Sequence, residues 1–405
     1  MTADAQRATP EQSPRAGWHR RVGLLPPAYL AMTVAVGVAH PFLPSWRWLA
    51  IHLLLLGAVT NAIVVWSAHF TAAVLRVPPP ARRRAEAGRL VLLNLGVAGV
   101  LIGGAIDVGW LAVAGAGALF AAVAAHLAWL AGRLRAALPA PLSITTHYYV
   151  AACVALLTGI PAGAWMLIDP AARPRLLLFH AHANLLGWVT LTVLGTLLAL
   201  WPTVLRTRMD EAAIAGARTA LPLAASGLVA LAIGVLAWWP ALAAGGIALI
   251  ATGVVAIARP AVRTARAKPP GSFAAWSIAA AGAWLIVALV LDAWSLLTAA
   301  GPAEAAAAFD VVLVPLLLGF AVQVLVGSLA FLLPVVLGGG PAAVRERGAR
   351  LDRNWPQRVA MANAALAVFC LPSPPFVRIT TSFLILAALL QFLVPATRVL
   401  VAARR

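Results

Sequence analysis

The sequence predicts an all-α, polytopic membrane helical bundle of about twelve transmembrane helices, arranged as three pseudo-repeats of four. Three observations predict it. Hydrophobic residues make up 62% of the 405 and charged residues only 10%, with a mean hydropathy of +0.93, so most of the chain cannot face water. Apolar runs of ~20 residues recur throughout, enough to cross a ~30 Å hydrocarbon core at ~1.5 Å per residue. Basic residues return in every second loop, which is a topology signal. The formal net charge of +18 is therefore read as loop charge facing one side of a membrane, and nucleic-acid binding is excluded as a function.

Residues 1–23 are polar, carry Arg7, Arg15, Arg20 and Arg21, and lack the apolar core of a signal peptide. They read as a cytoplasmic N-terminal tail, followed by a membrane domain over 24–405. With ~20 apolar residues as the ruler, spans fall near 24–42, 48–75, 89–106, 109–132, 144–168, 176–205, 214–237, 241–258, 273–298, 305–337, 357–373 and 377–397. Arg82, Arg83, Arg84 and Arg89 follow the second span, Arg133 and Arg135 the fourth, and Arg206 and Arg208 the sixth. Arg259, Arg263, Arg266 and Lys268 follow the eighth, and the run from Arg345 to Arg358 follows the tenth. The intervening loops carry Asp107, Asp169 or Glu304 with few basic residues. By the positive-inside rule this is a multi-pass protein of the plasma membrane with both termini cytoplasmic, and its first partner is the lipid bilayer.

Aligning the second span on the sixth at an offset of 130 residues matches His52 with His182, Gly57 with Gly187, Thr60 with Thr190 and Arg76 with Arg206. The tenth span joins at a further 132 residues, with Gly319, Gly327 and Pro334 on Gly187, Gly195 and Pro202. The implied unit is four spans used three times, over about 24–135, 143–260 and 272–400. His52 and His182 each stand 24 residues before a boundary Arg, ~36 Å along the helix, in the outer third of the membrane. The tenth span has Val314 there, followed by Pro315.

The stretch from Arg175 to Arg206 concentrates the chemistry. His180 and His182 enter an otherwise apolar helix, and ionisable residues in a span need a partner in the protein interior. Residues two apart on a helix point ~200° apart, so these two histidines face different neighbours. His180 is expected to look toward His40 at the outer end of the first span, or toward water.

Twelve spans in three arcs, histidines on spans two and six, and the phrase His-Ala-His-Ala-Asn-Leu-Leu-Gly-Trp at 180–188 resemble the catalytic subunit of haem-copper oxidases and its relatives, including NnrS-type membrane proteins. The runs from Gly319 to Gln323 and from Pro334 to Gly340 resemble the membrane region that in some actinobacteria precedes a multicopper oxidase domain. The departures matter as much. The family's binuclear centre needs histidines on spans six, seven and ten and a tyrosine four residues after the first. Spans seven and ten here have none, and Asn184 stands four after His180. Asp292 and Asp310 lie toward the outer ends, leaving no mid-membrane carboxylate for a proton relay. A proton-pumping terminal oxidase is disfavoured.

The resemblance implies instead one b-type haem held by His52 and His182 from opposite faces, with copper at His180 and His40 as a further metal. The chain would then act in electron transfer or nitric-oxide- or copper-related physiology beside a periplasmic cupredoxin or multicopper oxidase. Hydrogen bonding of both histidines across helix interfaces is the alternative. A twelve-span transporter and a plain membrane anchor are the alternatives at the level of function. His69, His126 and His147 approach the cytoplasmic side and read as packing or interfacial residues, a second inner site from them being the alternative, with Tyr148 and Tyr149 as interface anchors. Gly338-Gly339-Gly340-Pro341 reads as a helix stop, and Gln323 as an interhelical hydrogen-bonding residue.

Overall fold

A computed structural model describes residues 14–77 and 83–403. Arg7, Arg82 and residues 1–13 of the expected tail lie outside the described residues. Among the described residues eleven helices are long and apolar enough to cross a membrane: α1 (Gly17–Val38), α2 (Trp46–Val74), α3 (Arg84–Ala105), α4 (Gly109–Ala136), α5 (Pro141–Trp165), α6 (Arg173–Leu205), α7 (Ala213–Ala237), α8 (Pro240–Ala267), α9 (Phe273–Thr298), α10 (Pro302–Val336) and α13 (Pro375–Ala402). Between the last two lie the Arg-rich α11 (Gly340–Asp352) and the 16-residue α12 (Trp355–Cys370). The eleventh expected span is thus a short helix of about 24 Å, packed against α13. No strand occurs among the described residues. Val91, Leu95, Ile102, Val290 and Phe383 stand on the outside more than half exposed, as side chains facing lipid do. The chain is a multi-pass, all-α membrane protein.

Burial separates two layers. In α2, α6 and α10, 61%, 78% and 78% of the most apolar stretch is buried, against 28–44% in the other eight long helices. These three form the inner layer. Around them the hairpins α3/α4, α7/α8 and α12/α13 pack closely. Small residues let the backbones approach: Gly96, Gly99 and Gly103 meet Gly115 and Ala112, and Gly227 and Gly234 meet Gly246 and Ala243. The ring closes where α13 returns to α1, with the Arg20 guanidinium donating to the Ala403 carbonyl at 3.0 Å.

Each inner helix widens into a π-helical stretch at the same place: Leu53–Val59, Ala183–Thr190 and Pro315–Ala321. Their first residues are separated by the same 130 and 132 residues that align the sequence. The sequence explains the widening locally. A π turn leaves carbonyls without their usual partners, and the Thr60 and Thr190 hydroxyls each donate back five residues, to Leu55 and Leu185, at 2.8 Å. In α10 the stretch opens on Pro315, which has no N–H to donate. The central glycine of each, Gly57, Gly187 or Gly319, lies against the first helix of its own group of four, at Tyr29, Ala155 and Trp284. Two amide clasps brace the first and third π stretches. Asn61, Asn94 and Tyr29 join α2, α3 and α1; Gln323, Asn363 and Trp284 join α10, α12 and α9.

Two expectations are corrected. Residues 14–22 form a helix with His19 only 2% exposed, so this part of the tail belongs to the bundle. Tyr148 and Tyr149 are fully buried, donating to the Ala217 carbonyl and bonding the Thr196 hydroxyl, because both face the α6 and α7 side of α5. Asp292, toward the outer end of α9 as expected, is buried. The glycine run after α10 does stop that helix: Gly338, Gly339 and Gly340 have φ of 67°, 87° and 83°, open only to residues without a Cβ penalty.

Gly319→Ala drives a methyl into the Trp284 ring and is expected to lower stability by about 1–3 kcal/mol. Gly282→Ala, on the open face of α9, is expected to leave it unchanged or raise it by helix propensity. Thermal unfolding in detergent of the two variants measures the difference.

Candidate histidine site

His52 and His182 are each the last residue before a π stretch, as their sequence alignment requires. Equal depth does not bring them together. The ~200° separation along the His180-Ala-His182 turn sends His182 toward α9 and α10 and His180 toward α5 and α2. The pair that forms is His52 with His180.

The His52 ring stacks on Trp48, centroids 4.2 Å apart, and its Nδ1 donates to the Trp48 carbonyl at 2.8 Å. His180 lies in a notch of α5 made by Gly159 and Gly163, where any Cβ would strike it or its neighbour Asn184. Its Nδ1 donates to the Gly159 carbonyl at 2.9 Å, and its Nε2 accepts from the Asn184 side-chain amide at 3.1 Å. The two rings stand 6.5 Å apart, planes inclined by 27°. Both lie roughly 10 Å inside the bundle, counted from the helix starts at Trp46 and Arg173, at the end opposite the Arg-rich loops. Backbone carbonyls thus fix both tautomers with Nδ1–H outward, which leaves Nε2 as the lone-pair nitrogen of each ring. The Asn184 Oδ1 beside them is buried without a hydrogen-bond partner.

His182 is organised differently. Its Nε2–H donates to Asp292 Oδ2 at 2.9 Å, with the two side chains 3% and 2% exposed, and its ring meets Phe309 edge-on at 5.2 Å. Its Nδ1 is buried without a hydrogen-bond partner. The pair ties α6 to α9 inside the apolar layer and supplies the interior partner that an intramembrane histidine requires. A haem held between His52 and His182 does not fit this arrangement, because the two rings turn to different neighbours: His52 to Trp48 and His180, His182 to Asp292 and Phe309. His40 bonds the Gly37 carbonyl at 3.0 Å and packs edge-on to Trp46, away from His180. Of the four expected site histidines, the structure brings together only His52 and His180.

At the Arg-rich end, His126 Nε2 bonds the Ser67 hydroxyl at 2.9 Å and its ring stacks on Trp129. His147 is exposed and bonds the Ser143 carbonyl. His69 meets His19, nitrogen to nitrogen, at 3.2 Å. Among the described residues no group of three or more His, Cys, Asp or Glu side chains could hold a metal ion. A cavity of about 80 Å³ between α2, α6 and α10 is lined by side chains such as Ala62, Val193, Leu325 and Leu329, with no histidine in its wall.

Asn184 and Asp292 are the participants that sequence reasoning missed. Asn184 follows His180 by one helical turn and so shares its face. Asp292 is the only charged residue in the apolar run of α9, which marks it as the partner of an intramembrane histidine.

Removing one member of the His182–Asp292 pair strands the other in the apolar layer. Asp292→Leu or His182→Leu alone is expected to cost about 3 kcal/mol, and the double variant to recover most of it. A double-mutant cycle by denaturation in detergent checks this.

No protein-family model matches this chain, and no curated protein shows significant similarity to it.

Proposed function

We propose that this chain is a membrane-embedded metal-binding protein whose site, made by His52 and His180, takes a single late first-row ion, copper by preference, for electron transfer or copper handling. One observation carries the reading. Two imidazoles from separate inner helices stand with ring centres 6.5 Å apart, and both Nδ1 atoms are anchored on backbone carbonyls, the kind of anchoring that ligating histidines take from their outer shell. That separation is within the span that one ion bound to two imidazoles bridges once the side chains adjust. The ion would take the lone pair that Asn184 now caps, and the freed amide supplies an oxygen donor. Imidazole nitrogen suits copper, and a bound copper ion supplies one-electron chemistry. The protein's own part is to orient two neutral ring nitrogens in an apolar layer and to keep bulk water from them.

This replaces the haem ligand pair implied by the oxidase resemblance while keeping its depth and helices. In the same reading the Arg-rich end is cytoplasmic, the site lies near the outer face, and a periplasmic cupredoxin or multicopper oxidase is the exchange partner. The transporter alternative has less support, since the cavity between the inner helices offers a polar substrate almost no hydrogen-bonding groups.

The full chain in detergent, equilibrated with copper and freed of excess, is expected to hold an equivalent that disappears in His52→Ala and in His180→Ala, each weakening binding by about 100-fold or more. The His182→Leu/Asp292→Leu double variant is expected to keep it. Copper binding indifferent to both His52 and His180 would overturn the reading.

A further inference from the structure

A second pair of imidazoles meets at the Arg-rich end. His19 is 2% exposed on the helical stretch Pro14–Val22, and its Nε2 lies 3.2 Å from Nδ1 of His69 on α2. One tryptophan fixes both rings. The Trp66 indole stacks on His19 with centroids 5.4 Å apart and planes 15° apart, and meets His69 edge-on, also at 5.4 Å.

The geometry points to a second, independent metal site here, with His19 and His69 as two nitrogen ligands of one copper or zinc ion. A tetrahedral ion at ~2.0–2.1 Å from each ligand keeps neighbouring nitrogens about 3.3 Å apart; the two ring nitrogens stand 3.2 Å apart, joined by a hydrogen bond that the ion would displace. The ligands come from two helices and approach through different ring nitrogens, so an ion would clasp the Pro14–Val22 helix onto α2. Nearby cationic charge is partly spoken for: Arg83 donates to Glu86 at 3.0 Å and lies over the Trp18 ring. Among the described residues no group of three or more His, Cys, Asp or Glu side chains gathers here, so the two imidazoles alone carry the site.

Position gives the site its consequence. His69 follows His52 by 17 residues on the continuous α2, ~25 Å along its axis. The two pairs cannot share an ion. Helix α2 therefore contributes one ligand to a site near each face of the bilayer, an arrangement suited to receiving a metal ion or an electron on one side and releasing it on the other. The inference stands apart from the reading of His52 and His180, and the experiment separates them.

The full chain carrying His52→Ala and His180→Ala, which removes the other pair, is equilibrated in detergent with zinc(II) alone and with copper(II) alone, and bound metal is counted per chain. One equivalent is expected to remain, and His19→Gln or His69→Gln added to this background is expected to weaken it by about 100-fold or more. Copper(II) in the background protein is expected to show electron paramagnetic resonance splitting from two imidazole nitrogens, a reading that needs no change at His19 or His69. A background protein that binds neither metal, one whose affinity both Gln variants leave unchanged, or a copper spectrum without imidazole coupling would overturn the site.

Discussion

The need to satisfy every backbone polar group within an apolar layer governs this molecule, and the three π stretches are where that need is most exposed. A widened turn frees carbonyls that lipid cannot solvate. Thr60 and Thr190 cover them with hydroxyls, and Asn61 adds its side-chain amide to the Gly57 carbonyl at 2.8 Å. The wide turns also press three glycines against neighbouring helices. Widening the helix therefore both requires these residues and fixes which way the preceding histidines face. From the three turns follow the close approach of the first helix in each group, the seating of the amide clasps and the depth of the histidine layer.

That layer uses a short local pattern to build two unlike arrangements. His180 and His182 are separated by one residue and by ~200°. One is drawn into the Gly159–Gly163 notch and caps its lone pair on Asn184. The other reaches across to Asp292. The first can be opened to an ion by moving one amide; the second is a closed pair whose loss would leave an uncompensated group in the bundle. The bundle's stability and its proposed chemistry thus rest on adjacent but separable residues.

Much of the architecture was legible in the chain. Apolar length and loop charge placed the long helices, and the alignment of His52, His182 and Val314 located the point where each inner helix widens. The rotation between His180 and His182 also followed from helix geometry. What the pattern could not provide was azimuth between helices. Two histidines at equal depth on related helices were expected to face each other, and they do not, because the helices' rotation about their own axes is set by the π turns. Burial of Asp292, Tyr148 and Tyr149 likewise depends on which face of α9 or α5 turns inward, and neither helix carries a strong amphipathic pattern to show it. His19 was assigned to the tail because polar flanking sequence resembles one until a packed partner such as Trp66 is known.

The central claim is that His52 and His180 act together on one ion. X-ray absorption at the copper edge, on the full chain with the His19–His69 pair removed, tests it most directly. Two imidazole nitrogens at ~2.0 Å, reduced to one in His52→Ala and in His180→Ala, is the predicted result. A copper environment of buffer ligands alone, or one unchanged by either substitution, would contradict it.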